Sequence, residues 1–332
     1  MPVRRIAFWL ALAVSVVFPA ACNREATGPS PSVAAAAASP AQAAVPAAEA
    51  APPASATGGF DGAKAYGHVA KLVGFGPHPP DSAAIRQAQD YIRSQLQGFG
   101  CAVEEDDFHA QTPLGSLAMK NIVAKIPGTG PGVILLLTHY DTKRVADFVG
   151  AEDGGSSTGL MLEMARLLCA GRKQPHAVWI AFLDGEEAQL AEWSDTDSVY
   201  GSRELAARLA VSGDLKRVRA VILADMIGQK NLEIRREANS TKWLTDLVWQ
   251  TAARLGYKDV FVSHEPEAID DDHVPFLNRG VPAVDLIDLS GYQALGYWHT
   301  AEDTLDKISP RSLAIVGHVI LASLGELQAK FR

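Results

Sequence analysis

The sequence predicts an α/β fold, a three-layer sandwich in which helices cover both faces of a central, mostly parallel, mixed sheet. Strand-like segments alternate with segments of helical periodicity along residues 83–328. The strand-like segments are largely apolar, as is typical of strands buried on both faces. The 332 residues, 48% hydrophobic and 20% charged, also supply enough apolar material for one large domain. Together these features are typical of a parallel sheet with crossover helices.

The elements follow in chain order. The first predicted helix, residues 83–96, has apolar residues at helical spacing and ends at two nearby glycines. Residues 121–126 and 133–137 are predicted to be buried strands, and a helix at 158–168 follows them. The alternation continues with strand 177–183, helix 202–209, strand 218–224, helix 242–255, strand 283–287 and helix 310–328.

The first 22 residues have the features of a signal peptide. Arginines precede an apolar run at residues 6–21, which is too short and too soon interrupted to make a good spanning helix. The small residues before Cys22 resemble a bacterial lipoprotein cleavage site, but Pro19 stands where such sites usually carry leucine. Both ordinary cleavage and lipidation of Cys22 are therefore compatible with the sequence. We expect export to the periplasm, with membrane attachment if Cys22 is lipidated.

A tether and a single domain are predicted after the leader. Residues 23–57 are mostly Ala, Pro and Ser, a composition that predicts a disordered tether, and residues 58–332 form the predicted catalytic domain. Cys101 and Cys169 could pair in an oxidising compartment, but the sequence does not decide whether they meet. The net charge of -8 argues against a nucleic-acid partner and favours small molecules, peptides or metals.

The most informative motif is Asp184-Gly185-Glu186-Glu187-Ala188, directly after the predicted strand 177–183. Adjacent side chains on extended backbone point in opposite directions. One glutamate can therefore bind a metal ion while its neighbour faces the substrate. Metal-assisted acid/base chemistry needs this division of roles.

Other acidic and histidine residues also follow predicted strands. Parallel α/β sheets bind ligands beyond the carboxyl ends of their strands, so side chains from separate strand ends should meet there. Carboxylates and imidazoles are ligands that suit zinc. The five candidate ligands are His139, Asp153, Glu187, Asp225 and His299. Three of them would suffice for one catalytic ion, and all five, with one carboxylate bridging, could hold two.

The motifs His-Tyr-Asp, Gly-Ala-x-Asp, Asp-Gly-Glu-Glu-Ala, Asp-His-Val-Pro-Phe and Trp-His-Thr occur in this order. The set resembles the zinc-dependent aminopeptidase superfamily called M28, over roughly residues 83–324. Within that superfamily, the insert at residues 187–202, which carries Trp193, is similar to glutaminyl-peptide cyclotransferases.

That resemblance implies a zinc aminopeptidase-like fold and an enzyme that cyclises the N-terminal glutamine of peptides or proteins to pyroglutamate, with release of ammonia. It implies one Zn²⁺ ion bound by Asp153, Glu187 and His299. Further implied roles are general acid/base for Glu186, hydrogen-bonding companions for Asp225 and Asp271, and pocket walls for Trp193 and Trp298. In that role Glu186 should have a raised pKa, through repulsion by Asp225 and Asp271, while the zinc ion opposes the rise. The chain departs from the animal enzymes in having Asp270 where they have Gln and Asp285 where they have His.

Two other functions fit the same residues. In a two-zinc aminopeptidase, His139 and Asp225 would bind the second ion and Glu186 would deprotonate a metal-bound water; with one zinc, His139 would instead contact the ligands. A catalytically silent binding module would be expected to lack Glu186 or a ligand, and all are present. Structural explanations also exist: the tryptophans could pack in the core, and residues 270–273 could be a solvated charge run.

Overall fold

The computed structural model describes residues 50–171 and 173–332. The predicted signal peptide (1–22) and residues 23–49 of the predicted tether lie outside these residues. Ordered packing starts slightly before the predicted domain boundary at Gly58. A short 3-10 helix spans Ala54–Ala56, and the buried Thr57 hydroxyl donates to the carbonyl oxygen of Phe60 at 2.5 Å. Residues 54–57, which the composition assigns to the tether, thus belong to the described fold.

A six-stranded sheet forms the middle layer. The strands are β1 (Ala102–Thr112), β2 (Gly115–Ile126), β3 (Val133–His139), β4 (Ala177–Leu183), β5 (Val218–Asp225) and β6 (Ala283–Ile287). Their spatial order is β1-β2-β4-β3-β5-β6. Strands β4, β3, β5 and β6 are parallel, whereas β2 is antiparallel to both β1 and β4. The predicted mostly parallel, mixed sheet is confirmed, and the carboxyl ends of its four parallel strands share one edge.

Helices cover both faces of this sheet. They are α1 (Gly62–Val73), α2 (Ala83–Gly98), α3 (Gly155–Ala170), α4 (Tyr200–Ser212), α5 (Lys242–Arg254), α6 (Val274–Leu277), α7 (Leu289–Ala294) and α8 (Pro310–Lys330). Ile134 and Leu136 of β3 belong to the core that also contains residues of α1, α2, α3, α5 and α8, whereas Leu135 and Leu137 belong to the core that contains residues of α4 and α6. Alternate residues of one strand thus enter two different cores. The predicted three-layer arrangement is confirmed.

Besides the short helices α6 and α7, two elements are missing from the prediction, namely strand β1 and helix α1. Strand β1 contains four consecutive acidic residues, Glu104 to Asp107. Apart from the partly buried Val103, only one of its faces is buried or partly buried, so it lacks the apolar run of the central strands. Helix α1 carries two glycines, which disfavour a helix on intrinsic propensity. Gly62 is nevertheless required by packing, since a Cβ atom there would lie 2.2 Å from the carbonyl oxygen of Pro310 in α8. Contacts with other parts of the fold, rather than local sequence pattern, therefore account for both β1 and α1.

A disulfide joins Cys101 and Cys169, whose Cα atoms are 5.3 Å apart. The sequence leaves this pairing open, and the fold brings the residue before β1 next to the end of α3. The bond links positions 68 residues apart in the chain. It therefore restricts a long loop in the unfolded protein.

Replacing both cysteines by alanine should lower the free energy of unfolding by about 2–4 kcal/mol, because the unfolded chain regains the entropy of the open loop. Urea denaturation of the oxidised wild type and the double variant measures the difference. Reduced wild-type protein is the matched control and should behave like the double variant. A loss below about 1 kcal/mol would contradict the assigned role of the bond.

Candidate active site

The carboxyl ends of β4, β3, β5 and β6 form one side of the sheet, called the catalytic edge below. The predicted residues come together there. His139 and Asp225 are the last residues of β3 and β5, and Glu186 and Glu187 follow β4 by a few residues. Asp153 lies just before α3, and His299 comes from the loop after α7. Since the parallel strands point the same way, their ends deliver these side chains to one place.

The first candidate metal group is Asp153, Glu187 and His299. The Nε2 atom of His299 lies 3.3 Å from Asp153 Oδ2 and 3.2 Å from Glu187 Oε1. Among the described residues, the buried Glu187 Oε1 has no hydrogen-bond partner despite this short contact. Two carboxylates and one imidazole with an unsatisfied buried oxygen fit a zinc ion, with a position left open for substrate.

The second candidate metal group is His139, Asp153 and Asp225. His139 Nε2 lies 3.3 Å from Asp153 Oδ1 and 3.1 Å from Asp225 Oδ1. Asp153 therefore faces one histidine with each of its oxygens, the arrangement that a bridging carboxylate would have. Burial alone would lower the pKa of His139, but Asp225, Asp141 and Asp153 together raise it well above its usual value. A protonated His139 can thus neutralise these carboxylates in place of a second ion.

Asp141 fixes the turn that carries the paired glutamates. Its two carboxylate oxygens accept the backbone N–H groups of Glu186 at 3.1 Å and of Glu187 at 3.4 Å. Gly185, at φ 74°, provides the left-handed bend before them. The turn directs Glu187 towards His299 and leaves Glu186 at the wall of a cavity. Both glutamates line this cavity, and Glu187 is the one that contacts His299.

Burial is the largest influence on Glu186 and raises its pKa well above its usual value. His139 opposes this rise, whereas Asp271, Glu187 and Asp272 add to it. From the sequence we attribute the shift to repulsion by Asp225 and Asp271. The structure supports a contribution from Asp271 but assigns the main effect to burial. A carboxyl group with a raised pKa is suited to both accepting and returning a proton.

Asp271 is 2% exposed, and burial raises its pKa well above its usual value, with Asp225 and Asp272 adding to the rise. Glu237 holds the loop before it by accepting the backbone N–H of Ile269 at 3.0 Å. The sequence gives Asp271 a functional role, and the structure does place it at the cavity.

The cavity at this edge has a volume of about 260 Å³. Trp193 and Trp298 lie on its wall, and Trp298 stacks on His299 with ring centroids 4.0 Å apart. Its lining includes all the predicted site residues except His139, namely Asp153, Glu186, Glu187, Trp193, Asp225, Asp271, Trp298 and His299. His139 is fully buried beneath them. Of the two departures, Asp270 lines the cavity, whereas Asp285 is fully buried and does not.

Three contributors are missing from the sequence prediction. Asp141 acts through backbone N–H groups, as described above. Lys143 is 4% exposed and places its Nζ atom 3.4 Å from Glu187 Oε2. The carboxylate of Asp303 accepts the backbone N–H groups of Glu152 at 2.8 Å and Asp153 at 3.1 Å. The one available signal is that Asp303 follows His299 by four residues. The same loop thus carries one candidate ligand, His299, and the carboxylate that holds the backbone of another, Asp153.

Comparison with known proteins places this chain in a family. The model described as "Peptidase family M28" matches residues 121–324, more than half of the chain. A mouse (Mus musculus) glutaminyl-peptide cyclotransferase-like protein is 32% identical over 278 residues, which cover 75% of this chain and 71% of the mouse protein. The chain belongs to the glutaminyl cyclases of peptidase family M28.

Solved structures agree with this glutaminyl cyclase assignment. A glutaminyl cyclase from an Acidobacteriales bacterium is 41% identical with a TM-score of 0.77, over 82% of this chain and 96% of that one. The enzyme from Porphyromonas gingivalis is 34% identical with a TM-score of 0.75, over 81% and 99%. A Zn-dependent exopeptidase from Parabacteroides distasonis is also similar, at 28% identity and a TM-score of 0.72, over 79% and 97%. The same fold therefore occurs in proteins named as glutaminyl cyclases and in one named as a Zn-dependent exopeptidase.

Asp303→Asn should weaken zinc binding by about 10- to 100-fold, because an amide would replace a carboxylate that holds the Asp153 backbone. Competition with a chromophoric chelator measures the affinity. Asp306→Asn is the matched control, since Asp306 lies in the same segment but contacts Thr304 and Lys307 at the surface. An Asp303→Asn protein with unchanged zinc affinity would show that this carboxylate does not support the ligand.

Proposed function

We propose that this glutaminyl cyclase binds one zinc ion through Asp153, Glu187 and His299 and converts N-terminal glutaminyl residues of peptides or proteins to pyroglutamate. The observation that carries the proposal is that Glu186 and the three candidate ligands line one small cavity walled by Trp193 and Trp298. A compact, aromatic pocket suits a glutamine side chain folded onto its own backbone. The names of the related proteins support the same activity.

The proposed reaction forms a bond between the substrate's α-amino nitrogen and its side-chain amide carbon, and breaks the bond from that carbon to the amide nitrogen. Ammonia leaves, and no water is consumed. A bound zinc ion would supply polarisation of the amide carbonyl. Glu186 accepts a proton from the attacking amine and donates it to the departing nitrogen. Its raised pKa makes Glu186 a better proton acceptor than an ordinary carboxylate, and keeps the proton bound until it passes to the departing nitrogen.

Asp271 and Asp225 line the same cavity as Glu186. Repulsion from Asp271 helps to raise the pKa of Glu186. Asp225 contacts His139 at 3.1 Å and adds to the raised pKa of Asp271. In this proposal Asp271 and Asp225 help to keep the pKa of Glu186 high enough for it to accept a proton. Trp193 and Trp298 exclude water while the pyroglutamate ring forms.

The second candidate function is a two-zinc aminopeptidase, which the group His139, Asp153 and Asp225 favours. Asp153 would bridge the two ions there, and Glu186 would serve as base for hydrolysis of the first peptide bond. We favour one ion because His139 Nε2 lies 3.3 Å from Asp153 Oδ1 and 3.1 Å from Asp225 Oδ1, so the imidazole can pair with both carboxylates itself. The metal content and the reaction product separate the two functions.

Glu186→Gln should retain zinc but lose turnover of Gln-peptides by about 10²- to 10⁴-fold, since the amide cannot accept a proton. Glu187→Gln should instead bind zinc more weakly. Ammonia release, arylamide hydrolysis and zinc per chain are measured together. Glu192→Gln is the control, because Glu192 is an exposed carboxylate of the same insert. Hydrolysis of Leu-arylamide with two zinc ions per chain would overturn the proposal, as would full turnover in both site variants.

We further propose that the protein is exported to the periplasm and attached to the membrane through lipidated Cys22. The disulfide between Cys101 and Cys169 supports folding in an oxidising compartment. Wild-type protein should sediment with membranes, and Cys22→Ser should appear in the soluble periplasmic fraction. Equal fractionation of the two proteins would contradict attachment through this residue.

A further inference from the structure

A second cavity, called the outer cavity below, has a volume of about 470 Å³. It adjoins the cavity of about 260 Å³ that Glu186 lines, called the catalytic cavity. Trp193, Asp270 and Asp271 line both cavities. Only the first residue of a substrate takes part in cyclisation, so the rest of a peptide has to leave the catalytic cavity. The larger cavity lies directly beside it and falls within the range of roughly 300–1,000 Å³ that is typical of ligand pockets.

Two arginines line the outer cavity but not the catalytic one. Arg203 belongs to α4, and Arg279 follows α6. The Nη1 atom of Arg203 donates to the carbonyl oxygen of Asp195 at 3.0 Å, and its guanidinium lies 4.8 Å from the ring centroid of Tyr200. Arg279 donates through Nη1 to the carbonyl oxygen of Pro275 at 2.9 Å. Backbone contacts thus orient both groups while leaving most of their N–H donors available.

Neither guanidinium forms an ion pair within the part of the chain that the structure describes. This holds although Asp195 and Asp270, both exposed, line the same cavity. Asp270 also lines the catalytic cavity, so it lies at the junction, whereas the arginines belong to the outer cavity alone. Although Asp195 shares the outer cavity with them, both guanidinium groups therefore remain available to pair with a carboxylate on the side away from the reacting groups. Arg guanidinium groups bind carboxylates with two parallel hydrogen bonds when geometry permits.

We propose that the outer cavity binds the residues that follow the N-terminal glutamine, and that Arg203 and Arg279 select a carboxylate there. The carboxylate comes from an acidic side chain at the second or third position, or from the C-terminus of a short peptide. This inference rests on the proposed cyclase function. Asp270 confines the preference to the outer cavity, because it repels a carboxylate placed near the junction.

Steady-state kinetics on a matched peptide series test the proposal. The substrates are glutamine amide, Gln-Ala-Ala-amide, Gln-Glu-Ala-amide, Gln-Ala-Glu-amide, Gln-Lys-Ala-amide and Gln-Ala-Ala with a free C-terminus. The best carboxylate-bearing substrate should have a kcat/KM about tenfold above Gln-Ala-Ala-amide, through a lower KM, as expected for charge-assisted hydrogen bonds. The lysine peptide should be the poorest of the tripeptides. Comparison of the side-chain acids with the free C-terminus identifies the source of the carboxylate.

In the double variant Arg203→Gln with Arg279→Gln, the ratio of kcat/KM between acidic and neutral peptides should fall to about one. Glutamine at position 203 can still donate to the carbonyl oxygen of Asp195. Arg219→Gln is the control, because Arg219 is an exposed residue near the start of β5 and lines neither cavity. It removes a positive charge outside both cavities, by the same type of substitution, and should keep the wild-type ratio.

The outcomes separate this inference from the function on which it rests. If wild-type protein cyclises glutamine amide but treats acidic, neutral and basic peptides alike, the carboxylate site is wrong and the cyclase function stands. An acidic preference that persists in the double variant overturns the assignment to Arg203 and Arg279. If glutamine amide and all the peptides fail to release ammonia, the cyclase function itself fails.

Discussion

Burial of several carboxylates in one small volume is the constraint on which the catalytic edge depends. Asp153, Glu186, Glu187, Asp225 and Asp271 are each at most 6% exposed. Unpaired buried charges are costly, so such a group persists only with nearby cations, hydrogen-bond donors or bound protons. The protein provides His139 and Lys143 as cationic partners, and bound protons are favoured where a pKa is raised. A zinc ion among the three candidate ligands would complete the balance.

The parallel part of the fold could be predicted closely because its strands are buried on both faces. Strands 177–183 and 283–287 match β4 and β6 at both ends. Strand 121–126 captures only the second half of β2. The first half of β2 pairs with β1 alone and is more exposed, so its composition resembles a loop. Local pattern predicts an element where burial is complete and fails where pairing with a neighbour supplies the stability.

The site could be predicted as a set of strand-end side chains but not as a supported structure. His139, Glu187 and Asp225 were placed by the rule that parallel strands end at one edge. Asp141 and Asp303 act by accepting backbone N–H groups from other segments, and sequence spacing does not encode such contacts. The main cause of the raised Glu186 pKa could not be predicted for the same reason. Burial is a property of the packed chain, whereas the acidic neighbours were visible in the sequence.

The acidic residues of β1 have a consequence for the outermost side of the sheet. Glu105 and Asp107 project outward from a strand that lies at the end of the sheet order, and lysine and arginine side chains pair with acidic groups along it. A strand from another molecule would have to add next to these charges and strip them of water. The acidic residues that make β1 hard to predict as a strand therefore also disfavour polymerisation through this edge strand.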